Sequence, residues 1–487
     1  MLIFAKHFKV SDMNELVGRE AEIKTLTKYE TSGKPEFVAV YGRRRVGKTF
    51  LVKKLFGDKI CFNASGTYQD AKETQLENFS LELSSWTGDT PAVLKNWTDA
   101  FWQLEQYIRQ LPKSPQRRII FLDELPWFDT QKSGFVRALD YFWNHFLSER
   151  DDCMLVVCGS ATSWMVDHLI NDKGGLHNRI THEIHLYPFT LREMELYMKH
   201  AGFRWNRLLI LQTYMILGGI PYYLDMLDKD ETFPTNIDNI MFSHNAPLRT
   251  EFKRLYDSLF GRSEKYRAVI STLSSCASGL TRKEIADKLQ LESGGNLSEI
   301  LEDLVNCDFI RYYNIRKKTI NTTSGIYQLT DFFTIFHFEF LSKRTTSVHY
   351  WTEMMKSQKI SSWQGLAFER VCMAHIDQIK HALHIDTIYT EYFSWRSHDT
   401  STKAQIDMVI ERADNMTNIC EMKYDSQDQY AISNTEEEKL RRRMSSYRQE
   451  TATRNGMIMT LITTYGLKDN AHSGVVDNVV TLDQLFL

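Results

Sequence analysis

Short apolar runs alternate with helix-like stretches over the first 190 residues. The runs lie at 37–41, 59–64, 117–124, 152–159 and 182–186. Runs of this kind are typical of strands that are buried on both faces of a sheet. Helical patterns between them predict an α/β fold, with a parallel sheet covered by helices and a ligand site at the carboxyl ends of the strands.

The rest of the chain divides into three further parts. Residues 191–255 have apolar helical patterns and are interpreted as a helical lid over the core at 1–190. Residues 256–345 contain two helices and then two strands around a loop with Arg316, Lys317 and Lys318. This order predicts a winged-helix domain. Residues 350–487 form a separate C-terminal α/β domain.

The charge of the predicted winged helix leaves its role open. Its second helix, residues 297–307, carries Glu299, Glu302 and Asp303 on its polar side. Carboxylates repel phosphates, so this helix either packs against protein or leaves DNA contact to the lysines of the loop. A charged helix at 436–449 carries Arg441, Arg442, Arg443 and Arg448, which either track phosphates or pair with glutamates one turn away.

Composition excludes several classes of protein. The 487 residues are 43% hydrophobic, which excludes a wholly disordered chain. The net charge of −3 gives no reason to expect general nucleic-acid binding. Seven cysteines are scattered without a C-x-x-C pair, as in a reducing compartment. The start of the chain is a poor signal peptide, and the longest apolar region, 208–224, is too interrupted to span a membrane. A cytoplasmic protein without membrane contact is expected.

The segment after the first apolar run predicts a phosphate-binding loop. It matches G-x-x-x-x-G-K-T and precedes a helical pattern, so backbone N–H groups and a helix N-terminus would face an anion. We expect Lys48 to reach the β and γ phosphates of ATP and Thr49 to ligate Mg²⁺. The predicted nucleotide-binding residues of this loop are Gly42, Arg43, Arg44, Arg45, Val46, Gly47, Lys48 and Thr49.

A pair of carboxylates follows the third apolar run. Asp123 and Glu124 would emerge at the carboxyl end of a buried strand, roughly 75 residues after the loop. We expect Asp123 to hold the Mg²⁺ shell and Glu124 to orient and deprotonate the attacking water.

Three acids and a lysine in the C-terminal domain predict a second site. Glu369 lies on a helical pattern, Asp407 on one strand candidate, and Glu421 and Lys423 two residues apart on the next. If the hairpin sets Asp407 opposite Lys423, then Asp407, Glu421 and Lys423 share a face of the sheet. A slip of one residue would send Asp407 to the other face. The carboxylates would bind Mg²⁺, and Lys423 would be a catalytic residue that positions water. The other interpretation is a solvated surface hairpin.

The chain resembles archaeal and bacterial P-loop ATPases of the AAA+/STAND type that carry a C-terminal PD-(D/E)XK nuclease-like domain. The resemblance implies that Val17 to Glu20 lies near adenine, that Ser160 senses the γ-phosphate and that Arg179 sits near nucleotide. It implies a protein that couples nucleotide state to DNA binding or Mg²⁺-dependent DNA cleavage, with self-association left open. The alternative is a nucleotide-dependent signalling switch whose C-terminal domain is an inactive binding module. The segments that carry the resemblance are Val17–Glu20, Gly42–Thr49, Phe121–Glu124, Gly159–Ser160, Gly174–Arg179, Gly218–Pro221 and the C-terminal acids with Lys423.

Overall fold

A computed structural model describes residues 16–160, 162–170, 176, 179–260, 263–290, 295–314, 325–343, 347–397 and 404–487. The loop with Arg316, Lys317 and Lys318 lies outside these residues. So do Gly174, Gly175, His177 and Asn178.

The first part of the chain is a five-stranded parallel sheet with helices on both faces, as the alternating pattern predicts. The sheet has the order β2-β3-β4-β1-β5, so β1 lies between strands that follow it in the chain. The P-loop follows β1 at the carboxyl edge of this sheet. The strands are β1 (Glu36–Tyr41), β2 (Ile60–Ser65), β3 (Arg118–Asp123), β4 (Cys153–Gly159) and β5 (His182–His185), and the helices are α1 (Glu20–Glu30), α2 (Lys48–Phe56), α3 (Lys72–Thr87), α4 (Trp97–Gln110), α5 (Phe135–His145) and α6 (Thr162–Met165).

A helical layer follows the sheet. Its first helix starts with a capping box, in which Thr190 and Glu193 each accept the other's backbone N–H. Its last helix crosses residue 255, so the predicted boundary between 255 and 256 falls inside a helix. The helices are α7 (Leu191–His200), α8 (Arg207–Leu217), α9 (Pro221–Leu224), α10 (Phe233–Ile237) and α11 (Glu251–Leu259).

The third part has the order of helices and hairpin expected from the sequence, with one added strand. The short β6 pairs with β8, which also pairs with β7, in a three-stranded antiparallel sheet. Helix α14 contacts α6 of the first part, which agrees with a packing role for this acidic helix. The elements are α12 (Ser263–Ser274), β6 (Leu280–Thr281), α13 (Arg282–Leu289), α14 (Gly295–Asn306), β7 (Ile310–Asn314) and β8 (Gly325–Leu329).

The C-terminal part contains a mixed five-stranded sheet of order β13-β12-β11-β10-β9. Strands β9, β10 and β11 are antiparallel neighbours, whereas β11, β12 and β13 run parallel. Helix α17 packs on β11 and also on α8, which joins this part to the helical layer. The elements are α15 (Phe332–Phe336), α16 (Tyr350–Met354), α17 (Gln358–Ala374), α18 (Ile376–Ala382), β9 (Thr390–Arg396), β10 (Gln405–Arg412), β11 (Met416–Lys423), α19 (Asn434–Thr451), β12 (Gly456–Thr463) and β13 (Asn478–Thr481).

One continuous apolar core runs from the first part into the last. It includes Val40 of β1, Leu211 of α8, Phe336 of α15 and Cys420 of β11. Within the described parts of the chain, no helix is long and apolar enough to cross a membrane.

A buried ion pair also joins the P-loop to the segment before α15. The guanidinium of Arg43 is 3% exposed, pairs with the Asp331 carboxylate and lies 5.2 Å from the centroid of the Phe309 ring. Asp331 also caps α15, because its Oδ1 accepts the Thr334 N–H at 2.8 Å. A residue of the P-loop is therefore neutralised by a residue almost 300 positions later in the chain.

The substitution Asp331→Asn tests the role of the Arg43–Asp331 ion pair. Asparagine keeps the cap but leaves the Arg43 cation uncompensated, so we expect the free energy of unfolding to fall by about 3 kcal/mol or more. Urea unfolding of the full chain measures the loss, with the exposed Asp230→Asn as the matched control. Equal unfolding midpoints for the two variants would contradict the role given to this pair.

Candidate functional site

The P-loop turns sharply because its first glycine has no side chain. Gly42 has a φ of 142°, and a Cβ there would lie 2.3 Å from the carbonyl oxygen of Leu186. The loop ends at Gly47, also at positive φ, and α2 begins at the next residue, Lys48. The N-terminus of α2 therefore faces the interior of the loop, where an anion is stabilised by the helix dipole and by free N–H groups.

Lys48 and Thr49 have the neighbours that phosphate and Mg²⁺ chemistry require. Lys48 Nζ is held inside the loop, where it donates to the carbonyl oxygens of Gly42 and Arg43 at 2.9 Å each. Burial lowers the pKa of this ammonium group. The Thr49 hydroxyl donates to Asp123 Oδ2 at 2.8 Å. These two oxygens come from α2 and β3, and hard oxygen donors in this position suit Mg²⁺.

Glu124 is presented by an unusual backbone. It stands directly after β3 with a φ of 47°, a left-handed conformation that is uncommon for a residue with a side chain. Its Oε2 accepts the hydroxyl hydrogen of Ser160, at the end of β4, at 2.7 Å. Burial raises the pKa of the neighbouring Asp123. The structure thus brings Glu124 and Ser160 together at the strand edge where the sequence predicts them.

A cavity of about 490 Å³ opens from the P-loop. It is bounded by Lys48, Thr49 and Glu124 on one side and by apolar side chains on the other. Its size and lining are those of a pocket for a small ligand. Both the Val17–Glu20 segment and the Gly218–Pro221 segment contribute residues to this cavity. The apolar wall includes Leu16, Val17, Phe189, Tyr197, Ala201 and Pro221.

Gly219 brings the Gly218–Pro221 segment close to Phe189, which follows β5. It has a φ of 67°, and a Cβ on it would lie 2.3 Å from the Phe189 carbonyl oxygen. Its own carbonyl accepts the Phe189 N–H at 2.8 Å. Only glycine fits a backbone that approaches this closely at positive φ.

A second arginine of the P-loop contacts the helical layer. Arg45 Nη1 lies 2.5 Å from Glu251 Oε1, and its guanidinium carbon lies 4.0 Å from the centroid of the Tyr222 ring. Sequence reasoning missed Glu251, as it missed Asp331, the partner of Arg43. Both acids are remote in the chain and have no motif around them, so only the three-dimensional structure identifies them.

The structure does not bring Arg179 to the P-loop, which corrects the position implied by the resemblance. Two residues later, Thr181 donates its N–H to Phe37 O, at the opposite end of β1 from the P-loop. Arg179 is 44% exposed and its Nε lies 3.7 Å from Asp140 Oδ1. A segment that leads into the start of β5 cannot reach the carboxyl edge of the same sheet.

The four predicted C-terminal residues converge. Met408 is paired with Cys420, and extension of this register by one residue would set Asp407 opposite Glu421 rather than Lys423. The register predicted from the sequence sets Asp407 opposite Lys423, two residues further along β11. A shift of two residues keeps the side chains on the same face of the sheet. Glu369 of α17 lies beside them. Burial, followed by the charges of Glu421 and Glu369, raises the pKa of Asp407 to about 8.

These carboxylates are engaged by protein groups. Glu421 Oε1 lies 2.6 Å from Lys423 Nζ, and Oε2 pairs with Arg443. Asp407 Oδ2 accepts the Met422 N–H at 3.0 Å. In the part of the chain that the structure describes, no group of three or more His, Cys, Asp or Glu side chains is arranged to hold a metal ion. The donor types suit Mg²⁺, but the side-chain arrangement is that of an ion-pair cluster.

The arginines of α19 have different surroundings. Arg443 takes part in this cluster, whereas Arg441 pairs with Glu437 one turn away at 2.7 Å. Arg442 and Arg448 are exposed. The helix is thus partly a solvated face with paired charges and partly a wall of the carboxylate cluster.

Comparisons with known proteins agree with the first site. Residues 16–227 match the model of an ATPase domain found predominantly in Archaea. An uncharacterised protein of Methanocaldococcus jannaschii is 24% identical over 363 residues, which are 73% of this chain and 76% of that protein.

A solved structure of low sequence identity has a similar fold. A Walker-type ATPase of Pyrococcus abyssi has a TM-score of 0.50 and 16% identity, over 67% of this chain and 97% of that one. The ORC2 protein of Aeropyrum pernix, with a TM-score of 0.43 and 14% identity over 70% of this chain and 96% of that one, is too distant to argue from. The family match, the P-loop geometry and the fold together support a nucleotide-binding P-loop ATPase domain over residues 16–227.

Proposed function

We propose that the chain binds and hydrolyses ATP with Mg²⁺ at the P-loop. The observation that carries the proposal is the 2.8 Å hydrogen bond from Thr49 to Asp123, beside Lys48. This bond joins the helix after the P-loop to the acidic end of β3, which is the arrangement that a phosphate-bound Mg²⁺ requires.

Each residue then has a distinct task. The backbone N–H groups from Gly42 to Thr49 and the Lys48 ammonium would hold the phosphates. Thr49 and Asp123 would hold Mg²⁺, which supplies charge neutralisation on the phosphate oxygens when bound. Glu124 would orient water and accept its proton, and Ser160 holds Glu124 in place through Oε2.

Lys48→Ala is expected to abolish ATP turnover and to weaken ATP binding, because the variant loses the cation that meets the β and γ phosphates. Phosphate release and equilibrium ATP binding by the purified full chain measure both effects. The exposed Lys24→Ala is the control for loss of a lysine. Unchanged turnover and affinity in Lys48→Ala would overturn the proposal.

Glu124→Gln is expected to bind ATP normally and to reduce turnover by about 10²-fold or more, because the amide keeps the contact with Ser160 but does not accept a proton. Single-turnover hydrolysis measures the chemical step directly. The exposed Glu77→Gln on α3 is the matched control. Hydrolysis by Glu124→Gln at the wild-type rate would show that another group is the base.

We propose as a second candidate function that the C-terminal part acts on DNA, with a winged helix at 256–345. The specific observation in its favour is the convergence of Glu369, Asp407, Glu421 and Lys423 from three elements. The cost of gathering three carboxylates is evident in the raised pKa of Asp407. Such clusters of perturbed acids are enriched at functional sites. Cleavage would require Glu421 to exchange its cationic partners for a metal ion.

The variants Asp407→Ala, Glu421→Ala and Lys423→Ala are each expected to abolish or severely reduce cleavage of DNA, while ATP turnover continues at the separate P-loop. Linear, supercoiled and single-stranded DNA are incubated with Mg²⁺ or Mn²⁺, with and without ATP. The exposed Asp428→Ala is the control. If the wild-type protein cuts no DNA in any of these conditions, the signalling switch with an inactive C-terminal binding module becomes the preferred function.

A further inference from the structure

A second cavity, of about 570 Å³, lies between the third part of the chain and the C-terminal part. Arg311 of β7 and Arg370 of α17 both line it. Glu369 and Asp407, two of the clustered acids, line the same cavity. The C-terminal site is therefore closed on one side by residues of another part of the chain.

Neither guanidinium group forms a salt bridge with a described residue, although the neighbouring Glu369 carboxylate attracts the charge of Arg370. Arg311 Nε donates to the neutral Gln328 Oε1 at 2.7 Å, and Arg370 Nη1 donates to the Leu366 carbonyl at 3.4 Å. Arg370 Nε is buried without a hydrogen-bond partner. Two mostly buried cations that share a cavity without a salt bridge are costly, and an anion bound between them lowers that cost.

Three further acids at the cavity already have hydrogen-bond or ion-pair partners. Asp308 lies 2.7 Å from His185 Nε2, Asp331 pairs with Arg43, and Asp377 lies 2.8 Å from Lys380 Nζ. Glu369 and Asp407 are the remaining acids of the lining. The cavity is thus lined both by acids of the candidate metal cluster and by the cations Arg311 and Arg370.

We infer that Arg311 and Arg370 together bind the phosphate group of a nucleotide that enters this cavity. The inference rests on the second candidate function, because it assigns the ligand of that same site. Guanidinium groups match phosphate geometry by paired N–H donors. A phosphate between the arginines would lie in the cavity beside Glu369 and Asp407, where a phosphodiester would have to be for cleavage.

The size and walls of the cavity specify a single nucleotide unit rather than a duplex. Its volume is in the range of pockets for small molecules, roughly 300–1,000 Å³. Tyr187 and Tyr392 line it with rings that are 55% and 40% exposed. Exposed aromatic rings next to cations are the means by which proteins hold unpaired bases. The source is either a free nucleotide or the end of a single strand.

Equilibrium binding to the full chain tests the inference. The probes are thymidine 5′-phosphate, a 5′-phosphorylated single-stranded oligothymidylate and a hairpin duplex of equal length. The buffer contains Ca²⁺, an oxygen-liganded cation that screens Glu369 and Asp407. Lys48→Ala serves as a second background, because binding that persists in it does not depend on the P-loop.

We expect the single strand or the free nucleotide to bind at least tenfold more tightly than the duplex. Arg311→Gln and Arg370→Gln should each weaken that binding by about tenfold or more, as for loss of a charged hydrogen bond. The exposed Arg204→Gln should not. Binding of thymidine 5′-phosphate without the strand would identify a free nucleotide as the ligand.

Equal affinity in the arginine variants, tighter binding of the duplex, or no binding of any probe would each overturn the inference. Thermal melting and ATP turnover show whether the glutamine variants are folded. If they are not, Arg311→Lys and Arg370→Lys replace them, since they keep the charge but lose the paired donors, and weaker binding is again expected. Loss of ATP turnover in Lys48→Ala, or absence of DNA cleavage, does not affect this outcome.

Discussion

The burial of the Arg43 guanidinium is the constraint on which the arrangement of this molecule depends. A cation that is almost excluded from solvent must be neutralised. Asp331, directly before α15, neutralises the Arg43 guanidinium. Since Arg43 belongs to the P-loop, the loop is not a peripheral element. It is part of the interior that joins the ATPase sheet to the later parts of the chain.

Arg45 extends the same principle to the helical layer. Its ion pair with Glu251 connects the P-loop to α11. Its position over the Tyr222 ring connects the loop to α9, which follows Gly219. Two alternate residues of one loop thus contact two different downstream parts. A change in loop conformation on nucleotide binding would alter both sets of contacts at once, which is the kind of differential interaction by which a ligand shifts a conformational equilibrium.

The sequence predicts the local features of the fold well, because they arise from local causes. Buried strands such as β3 and β4 are apolar runs, and the P-loop needs glycines and a lysine at fixed spacing, so both can be identified without a structure. The face on which Asp407 lies is harder to predict, because the register of β10 and β11 depends on pairing across the hairpin. The domain bounds beyond the sheet, and DNA binding itself, stay predictions.

Long-range features escaped prediction for physical reasons. Asp331 and Glu251 are isolated acids whose importance comes only from the arginines they meet. Arg179 was placed near nucleotide by resemblance of its loop, but the direction of β5 puts it at the far edge of the sheet. Arg311 belongs to a predicted strand, and nothing in that strand shows that it would line the same cavity as Arg370.

The C-terminal acids illustrate how a charge cluster limits its own chemistry. Glu421 is held between Lys423 and Arg443, so a metal ion must compete with two cations for its oxygens. Asp407, whose pKa is raised to about 8 by burial and by its acidic neighbours, must lose a proton before it becomes a ligand. A metal ion would lower the second cost, because a cation next to Asp407 favours its ionised form. A phosphate bound by Arg311 and Arg370 adds negative charge next to the acids. This added charge favours the binding of a cation beside the acids. Metal and phosphate would therefore stabilise each other's binding, because each supplies the charge that the other lacks.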